Sequence, residues 1–254
     1  MKDPGFHRSR KSPKNYFSWR VQRVRPVVSR LQKIINVNNL TILDLGCGFG
    51  ALTKALLEKK ATVIAADVDN KSLRIAKTFL PKNKRLKFIK VNNSKLPFVN
   101  DYFDVVFLFD VIEHVKDPPT TISECKRVLK PGGILYVEFT PYYSIVGHHL
   151  YDYAKWPIHI LPKKLIKQIV YSKHLDSFLK PKDYWNVFSA LNKLRIGTFQ
   201  KLVRDLTMIN ERFIVKYPDY FQINLPFVNY LGLLKDFFTM SFEGIYRKGI
   251  PKKE

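Results

Sequence analysis

The sequence predicts an α/β protein built on a doubly wound, mostly parallel sheet. Three observations carry that reading. Short apolar runs alternate with helix-patterned segments between residues 41 and 139, as in strands joined by crossover helices. Phe103–Phe109 is almost continuously apolar, as expected of a strand buried on both faces. Residues Ile42-Leu43-Asp44-Leu45-Gly46-Cys47-Gly48-Phe49-Gly50 describe a strand that runs into three alternate glycines. Such a turn lets a ligand approach the backbone closely, and the helix that follows points its first N–H groups at it.

The elements follow in order. Residues 1–14 read as a flexible basic arm. Tyr16–Ile35 carries Phe17, Val21, Val24, Val28, Leu31 and Ile35 at helical spacing, with an interruption expected at Pro26. Strand Thr41–Leu45 is followed by helix Leu52–Lys59, strand Thr62–Ala66 with Asp67 at its end, helix Ser72–Leu80 and strand Leu86–Val91. Strand Phe103–Phe109, helix Thr121–Leu129, the turn Lys130-Pro131-Gly132-Gly133 and strand Ile134–Phe139 complete the alternation. Beyond Pro141 the chain turns aromatic, with Tyr142-Tyr143 and Trp156-Pro157-Ile158-His159. A helix over Leu191–Leu206 and strands over Arg212–Tyr217 and Phe237–Arg247 bring the expected strand count to seven. The expected divisions are a basic arm and helix (1–35), a ligand-binding core (36–141), a cap or insertion (142–190), and the remaining helix and strands (191–254).

Composition limits the possibilities. With 254 residues and 46% hydrophobic content the chain can bury a real core. No apolar run reaches the length of a membrane span, and the polar first residues lack the apolar stretch of a secretory signal. Cys47 and Cys125 fit neither a zinc pattern nor a disulfide framework, so a reduced, cytoplasmic protein is expected. The formal net charge of +23 attracts polyanions such as RNA, anionic lipid headgroups or phosphorylated substrates. A lysine-rich solvated surface gives the same number, and the two readings weigh evenly.

The glycine turn by itself marks a nucleotide-type ligand. Asp67, at the end of the second strand, suits the two hydroxyls of a ribose. Further motifs narrow the choice: Asn92-Asn93-Ser94-Lys95-Leu96-Pro97-Phe98, Phe103-Asp104-Val105-Val106, Glu113-His114-Val115 and Arg127-Val128-Leu129-Lys130-Pro131-Gly132-Gly133. In this order they resemble the class I S-adenosylmethionine-dependent methyltransferases, in the branch with quinone-biosynthesis-type members, over residues 40–140. The resemblance implies a Rossmann-like sheet and S-adenosylmethionine as cofactor, held by Asp44, Gly46, Cys47, Gly48, Gly50, Asp67, Val68, Asn92, Asn93 and Phe109. It puts Asp44 near the amino group and Asp67 on the ribose. Asn92 stands where the family usually has an acid, and its amide oxygen can still accept from the adenine amino group.

For the acceptor end, Asp110, Glu113 and His114 form a D-x-x-E-H cluster. On a helix these three would share one face, where two carboxylates and an imidazole can hold a hard divalent ion. Related E-x-x-E-H clusters bind a metal in ubiquinone-type O-methyltransferases and in small-RNA 2′-O-methyltransferases, the latter with a further downstream His for which His148 or His149 would serve. Against the metal stands His114 as a metal-free general base or substrate contact, the preferred reading. His148, His149 and Tyr143 are the expected substrate contacts. The aromatic cap either encloses a ring or an acyl chain or packs ordinarily on the core. Phe227, Tyr230, Leu231, Leu234 and Phe238 fit one helical face, expected as core beside the last strands, with peripheral membrane contact as the alternative.

The resulting expectation is methyl transfer to a small-molecule or lipid-like acceptor, at oxygen. RNA methylation is the alternative, favoured by the charge and by Arg8, Arg10, Lys11 and Lys14 of the arm. A non-catalytic S-adenosylmethionine-binding subunit is the alternative of another class.

Overall fold

The structure is a computed structural model that describes residues 10–92, 95–147, 149–150, 152–154, 157–217 and 221–250. Helix α1 (Pro13–Gln32) starts on Ser12, whose side chain accepts from the Asn15 N–H at 3.1 Å. The helix does not break at Pro26. Proline forfeits one backbone bond, but Val21, Val24, Val27, Val28 and Leu31 on both sides of it are buried against the sheet layer, and that packing holds the helix through.

Strands β1 (Thr41–Leu45), β2 (Thr62–Asp67), β3 (Leu86–Lys90), β4 (Phe103–Phe109) and β5 (Leu129–Phe139) are joined by helices α2 (Ala51–Leu57), α3 (Asn70–Phe79) and α4 (Pro118–Val128). All five strands pair in parallel, in the order β3-β2-β1-β4-β5. Strand order therefore reverses between β1 and β4, where Leu45 lies opposite Leu108. That reversal sets the glycine turn after β1 beside the segment after β4, the crevice in which such sheets bind ligands. Phe103, Val105, Val106, Phe107 and Leu108 are fully buried, because helices cover both faces.

The sheet continues with β8 (Ser241–Arg247), antiparallel to β5, then β6 (Thr207–Tyr217) and the edge strand β7 (Phe221–Asn224). It thus has eight strands rather than seven. The additional strand is the short β7, which folds back on β6; its alternation Phe221-Gln222-Ile223-Asn224 spans only four residues. The last strand begins at Ser241, because Lys235–Phe238 forms a short helix, α8.

Between β5 and β6, a single 3-10 turn (Ile158–Ile160) precedes helices α5 (Lys163–Ser172), α6 (Pro181–Ala190) and α7 (Ile196–Leu202). Tyr142, Leu150, Tyr153, Ile158, Ile166, Val170, Tyr184 and Phe188 make a separate apolar cluster there. The expected helix over 191–206 is shorter. Residues 191–195 are irregular, with Lys193 at φ +58°, because Asn192 is committed to another segment. Residues 226–234 form 3-10 turns kinked at Gly232. Contrary to the expected core packing, Phe227, Tyr230, Leu234 and Phe238 are exposed, and Leu231 lies at the surface with them. The 3-10 turn, three residues per turn instead of 3.6, takes the expected stripe off a single face.

Candidate functional site

The glycine turn follows β1 directly. Gly46, Gly48 and Gly50 all have positive φ, at +75°, +53° and +82°, a region closed to most side chains. Their neighbours separate them. A Cβ on Gly46 would lie 2.4 Å from Val111 Cγ2, and one on Gly50 would lie 2.6 Å from Leu80 Cδ1, whereas one on Gly48 would meet no atom within 4 Å. Gly46 and Gly50 are thus glycine for packing, and Gly48 borders open space.

Beneath the turn, the Gly46 and Cys47 N–H groups donate to Ala66 O at 2.7 and 3.0 Å. The Gly48 N–H donates to Asp67 Oδ2 at 2.8 Å, and the Asp69 N–H donates to Asp67 Oδ1 at 2.9 Å. Both carboxylate oxygens of Asp67 are oriented by backbone, with lone pairs left over. Burial pushes the Asp67 carboxyl up and these donors pull it down, with a net upward shift.

A cavity of about 260 Å³ opens beside this turn. Of the expected cofactor residues, Gly46, Asp67, Val68 and Asn92 line it, together with Asp110 and His114 of the acceptor cluster. Lys95, Thr121 and Glu124 also line it, and nothing in their local sequence marked them. Gly48 is not among the lining residues, and four further expected contacts do not face the cavity as side chains. Asp44 is buried behind the turn, where Thr53 Oγ1 donates to it at 2.5 Å; burial raises its pKa to about 6. The Cys47 side chain packs with Ala65 and Leu73, and burial pushes its thiol well up. Gly50 is tucked against Leu80. Phe109 points to the opposite face of the sheet, into the layer under α1, with the Arg20 guanidinium 4.9 Å above its ring. Asn93 lies outside the described residues.

The D-x-x-E-H segment is a turn, not a helix, so its three functional side chains do not share a face. Asp110 takes φ +55° and donates its N–H to Glu138 O. Its carboxylate is ion-paired with Arg20 of α1. Burial opposes the charge on Arg20, and neighbouring acidic groups, Asp110 and Glu138 among them, outweigh it and hold its pKa above the ordinary value. Arg20 was legible in principle. It falls between Phe17, Val21 and Val24 on the apolar face of an amphipathic helix, an unusual place for an unpaired cation.

Glu113 is buried and accepts from the Thr140 N–H at 3.3 Å through Oε1, while its Oε2 has no hydrogen-bond partner among the described residues. Burial, with Asp110 nearby, pushes its carboxyl well above the ordinary range. His114 lines the cavity, and burial lowers its pKa. His149 joins this pair: its ring stands edge-on to His114 at 4.9 Å, and its Nε2 lies 3.9 Å from Glu113 Oε1. One ligand atom from each of Glu113, His114 and His149 lies within 4.8 Å of the others. The structure thus exchanges Asp110 for His149 in the candidate metal set. His148 lies outside the described residues. Tyr143 does not line the cavity; it is exposed, with the Arg195 guanidinium 4.8 Å over its ring.

The turn is pinned from a distance by Asn192. Its Nδ2 donates to Ile112 O at 2.7 Å and Val115 O at 2.9 Å, its N–H donates to Glu113 O at 3.1 Å, and its Oδ1 accepts from the Leu194 N–H at 3.0 Å. No local sequence signal marks this residue. A larger hollow, about 630 Å³, lies along α1 among Gln22, Arg25, Pro26, Ser29, Arg30 and Lys33, and contains none of the expected site residues.

A methyltransferase domain family model matches residues 43–137. The chain is 28% identical over 177 residues to a ubiquinone biosynthesis O-methyltransferase of Nitrosomonas europaea, covering 66% of this chain and 70% of that one. It is 36% identical over 143 residues to a demethylmenaquinone methyltransferase of Clavibacter sepedonicus, of which it spans 56%. Among solved structures, an S-adenosylmethionine-dependent methyltransferase of Mesorhizobium loti superposes with a TM-score of 0.60 at 18% identity, over 90% of this chain and 100% of that one.

Proposed function

Since the chain is a class I S-adenosylmethionine-dependent methyltransferase, we propose that it methylates a hydroxyl of a small, ring-bearing, lipid-like acceptor of the quinone-precursor class, with His114 as general base. The observation that carries this reading is His114 itself. It stands in the wall of the cavity that Gly46 and Asp67 also line, and burial keeps its imidazole neutral, the form that accepts a proton. The names of the two relatives support a quinone-type acceptor.

Bound in this cavity, S-adenosylmethionine supplies an electrophilic methyl group on a sulfonium whose departure leaves a neutral thioether. The residues provide position and charge. Asp67, already oriented by Gly48 and Asp69, accepts from the ribose hydroxyls. Gly48 leaves room beside them, and Asn92 meets the adenine edge. Arg20, which is not among the residues lining the cavity, neutralises Asp110 and fixes that carboxylate at the cavity wall. Asp44 adds negative charge from beneath the turn, toward the ammonium. His114 takes the hydroxyl proton as the acceptor oxygen attacks.

A second reading rests on the convergence of Glu113, His114 and His149. One carboxylate and two imidazoles, with Glu113 Oε2 buried and unpartnered among the described residues, suit a divalent cation. These three would hold it, and it would lower the pKa of the acceptor hydroxyl. RNA as acceptor draws on the net charge. Of the arm residues invoked for it, Arg10 is bound instead to Asp152 at 3.6 Å and Lys11 to Asp176 at 2.8 Å, Lys14 is exposed, and Arg8 lies outside the described residues. Transfer of labelled methyl to a prenylated catechol, measured with and without chelator and beside a total-RNA arm, tests all three. Label in the catechol despite chelator supports the base reading, label lost in chelator supports the metal, and label in RNA alone refutes the proposed acceptor.

A further inference from the structure

The surface formed by residues 223–238 takes no part in the site described above. Phe227, Tyr230, Leu233, Leu234, Phe237 and Phe238 all face solvent, Tyr230 at 88% and Leu233 at 75% exposure. A cluster of this size exceeds the singly scattered apolar residues of an ordinary surface. It is also firmly mounted. Val228 is buried in the main core, and Asp236, itself buried, accepts from Arg195 Nε at 2.7 Å and from the Ile196 N–H at 2.9 Å. Thr239 Oγ1 donates to Lys235 O at 2.7 Å. Gly232, at φ +55°, makes the reversal that leaves Leu231, Leu233 and Leu234 outside.

Charge indicates what covers this surface. In a chain with 26% charged residues, Tyr220–Leu234 contains none. At its border Arg195 is ion-paired with Asp236 and Lys235 keeps its charge, and the chain carries +23 overall with the cations spread along its whole length. Positive charge spread over a whole chain that also carries an uncharged apolar tip complements an extended anionic plane better than it complements the patterned rim of a folded partner. No helix of the described residues is long and apolar enough to cross a membrane, so such contact would be peripheral.

We propose that residues 223–238 dock the protein on an anionic lipid bilayer, with the aromatic and leucine side chains entering the headgroup–acyl boundary. Arg195, stacked on Tyr143, links this surface to the segment after β5; if the lipid-like acceptor proposed above is correct, docking brings the site to the acceptor's own phase. The docking itself does not depend on that reading.

The experiment is co-sedimentation of the full chain with vesicles of equal parts phosphatidylcholine and phosphatidylglycerol, beside vesicles of phosphatidylcholine alone. Binding is expected to the mixed vesicles, weakened by salt. The triple variant Phe227→Ser/Tyr230→Ser/Leu233→Ser should bind at least about tenfold more weakly. Tyr230→Ser alone, at the most exposed position, should lose part of the binding with unchanged thermal stability. Wild-type vesicle binding by the triple variant overturns the proposal, as does indifference of the wild type to phosphatidylglycerol. A wild-type dimer that the triple variant converts to monomer would assign the surface to a second copy and overturn it equally. S-adenosylmethionine affinity of the triple variant, by calorimetry, should be unchanged, so the docking and the methyl-transfer reading fail separately.

Discussion

Replacing Gly48 by alanine tests the cofactor seat most sharply, because the surroundings separate its two possible costs. At φ +53° any L-residue is strained, by about 1–2 kcal/mol. No steric cost adds to this in the empty protein, since the new Cβ meets nothing within 4 Å. A loss of about 1–2 kcal/mol lowers the melting temperature of a chain this size by roughly 2–8 °C, and the variant stays folded. A methyl group in the ligand's space costs a further 1–3 kcal/mol, roughly, on binding, or about 5- to 150-fold in Kd. Gly46→Ala is the contrast: its Cβ would lie 2.4 Å from Val111 Cγ2, so stability falls further. Calorimetry with S-adenosylhomocysteine and thermal melting of both variants measure the two costs. Wild-type affinity in a folded Gly48→Ala protein would refute the assignment of the turn as the seat.

Other consequences follow from the buried groups. Asp44, raised by burial to about 6, favours the folded state of the empty protein below its unfolded value of 3.8, and that contribution is lost as pH rises through 6. Asp44→Asn should abolish this slope in thermal melts, and should flatten a cofactor affinity that otherwise improves as pH rises through 6. His114 is lowered from 6.5 by burial, so its contribution to stability is full above 6.5 and is lost as pH falls through the folded value. His114→Gln should retain cofactor affinity while turnover falls by about 10²–10⁴-fold; equal loss of both would place His114 in the cofactor site. Asn192→Ala leaves Ile112 O and Val115 O without their donor, at a cost of about 1–3 kcal/mol. It should lower kcat with cofactor Kd unchanged, and Asn192→Asp, which keeps the shape and loses the donors, should do the same.

Much of the architecture was legible along the chain. The five parallel strands and the glycine turn announce themselves through local periodicity and backbone demand. The place of Asp67 at the end of β2, in the cavity wall, was legible because it is itself a local property. Where local signals conflicted with packing, packing prevailed: α1 runs through Pro26, and the helix expected over 191–206 starts only at Ile196. Phe227, Tyr230 and Phe238 lie outside rather than in the core, because the spacing assumes 3.6 residues per turn and the chain there takes 3-10 turns kinked at Gly232.

The sequence by itself determined the fold class and the cofactor, since the motifs that carry them depend on neighbours within a few residues. Only the tertiary structure decided the partners at the acceptor end. Arg20 reaches Asp110 across 90 positions, and Asn192 reaches Ile112 across 80. His149 displaces Asp110 from the Glu113–His114 cluster because β5 and the loop after it return to the end of β4. Contacts of that range follow from strand order and helix packing, and no local periodicity encodes which distant segment arrives.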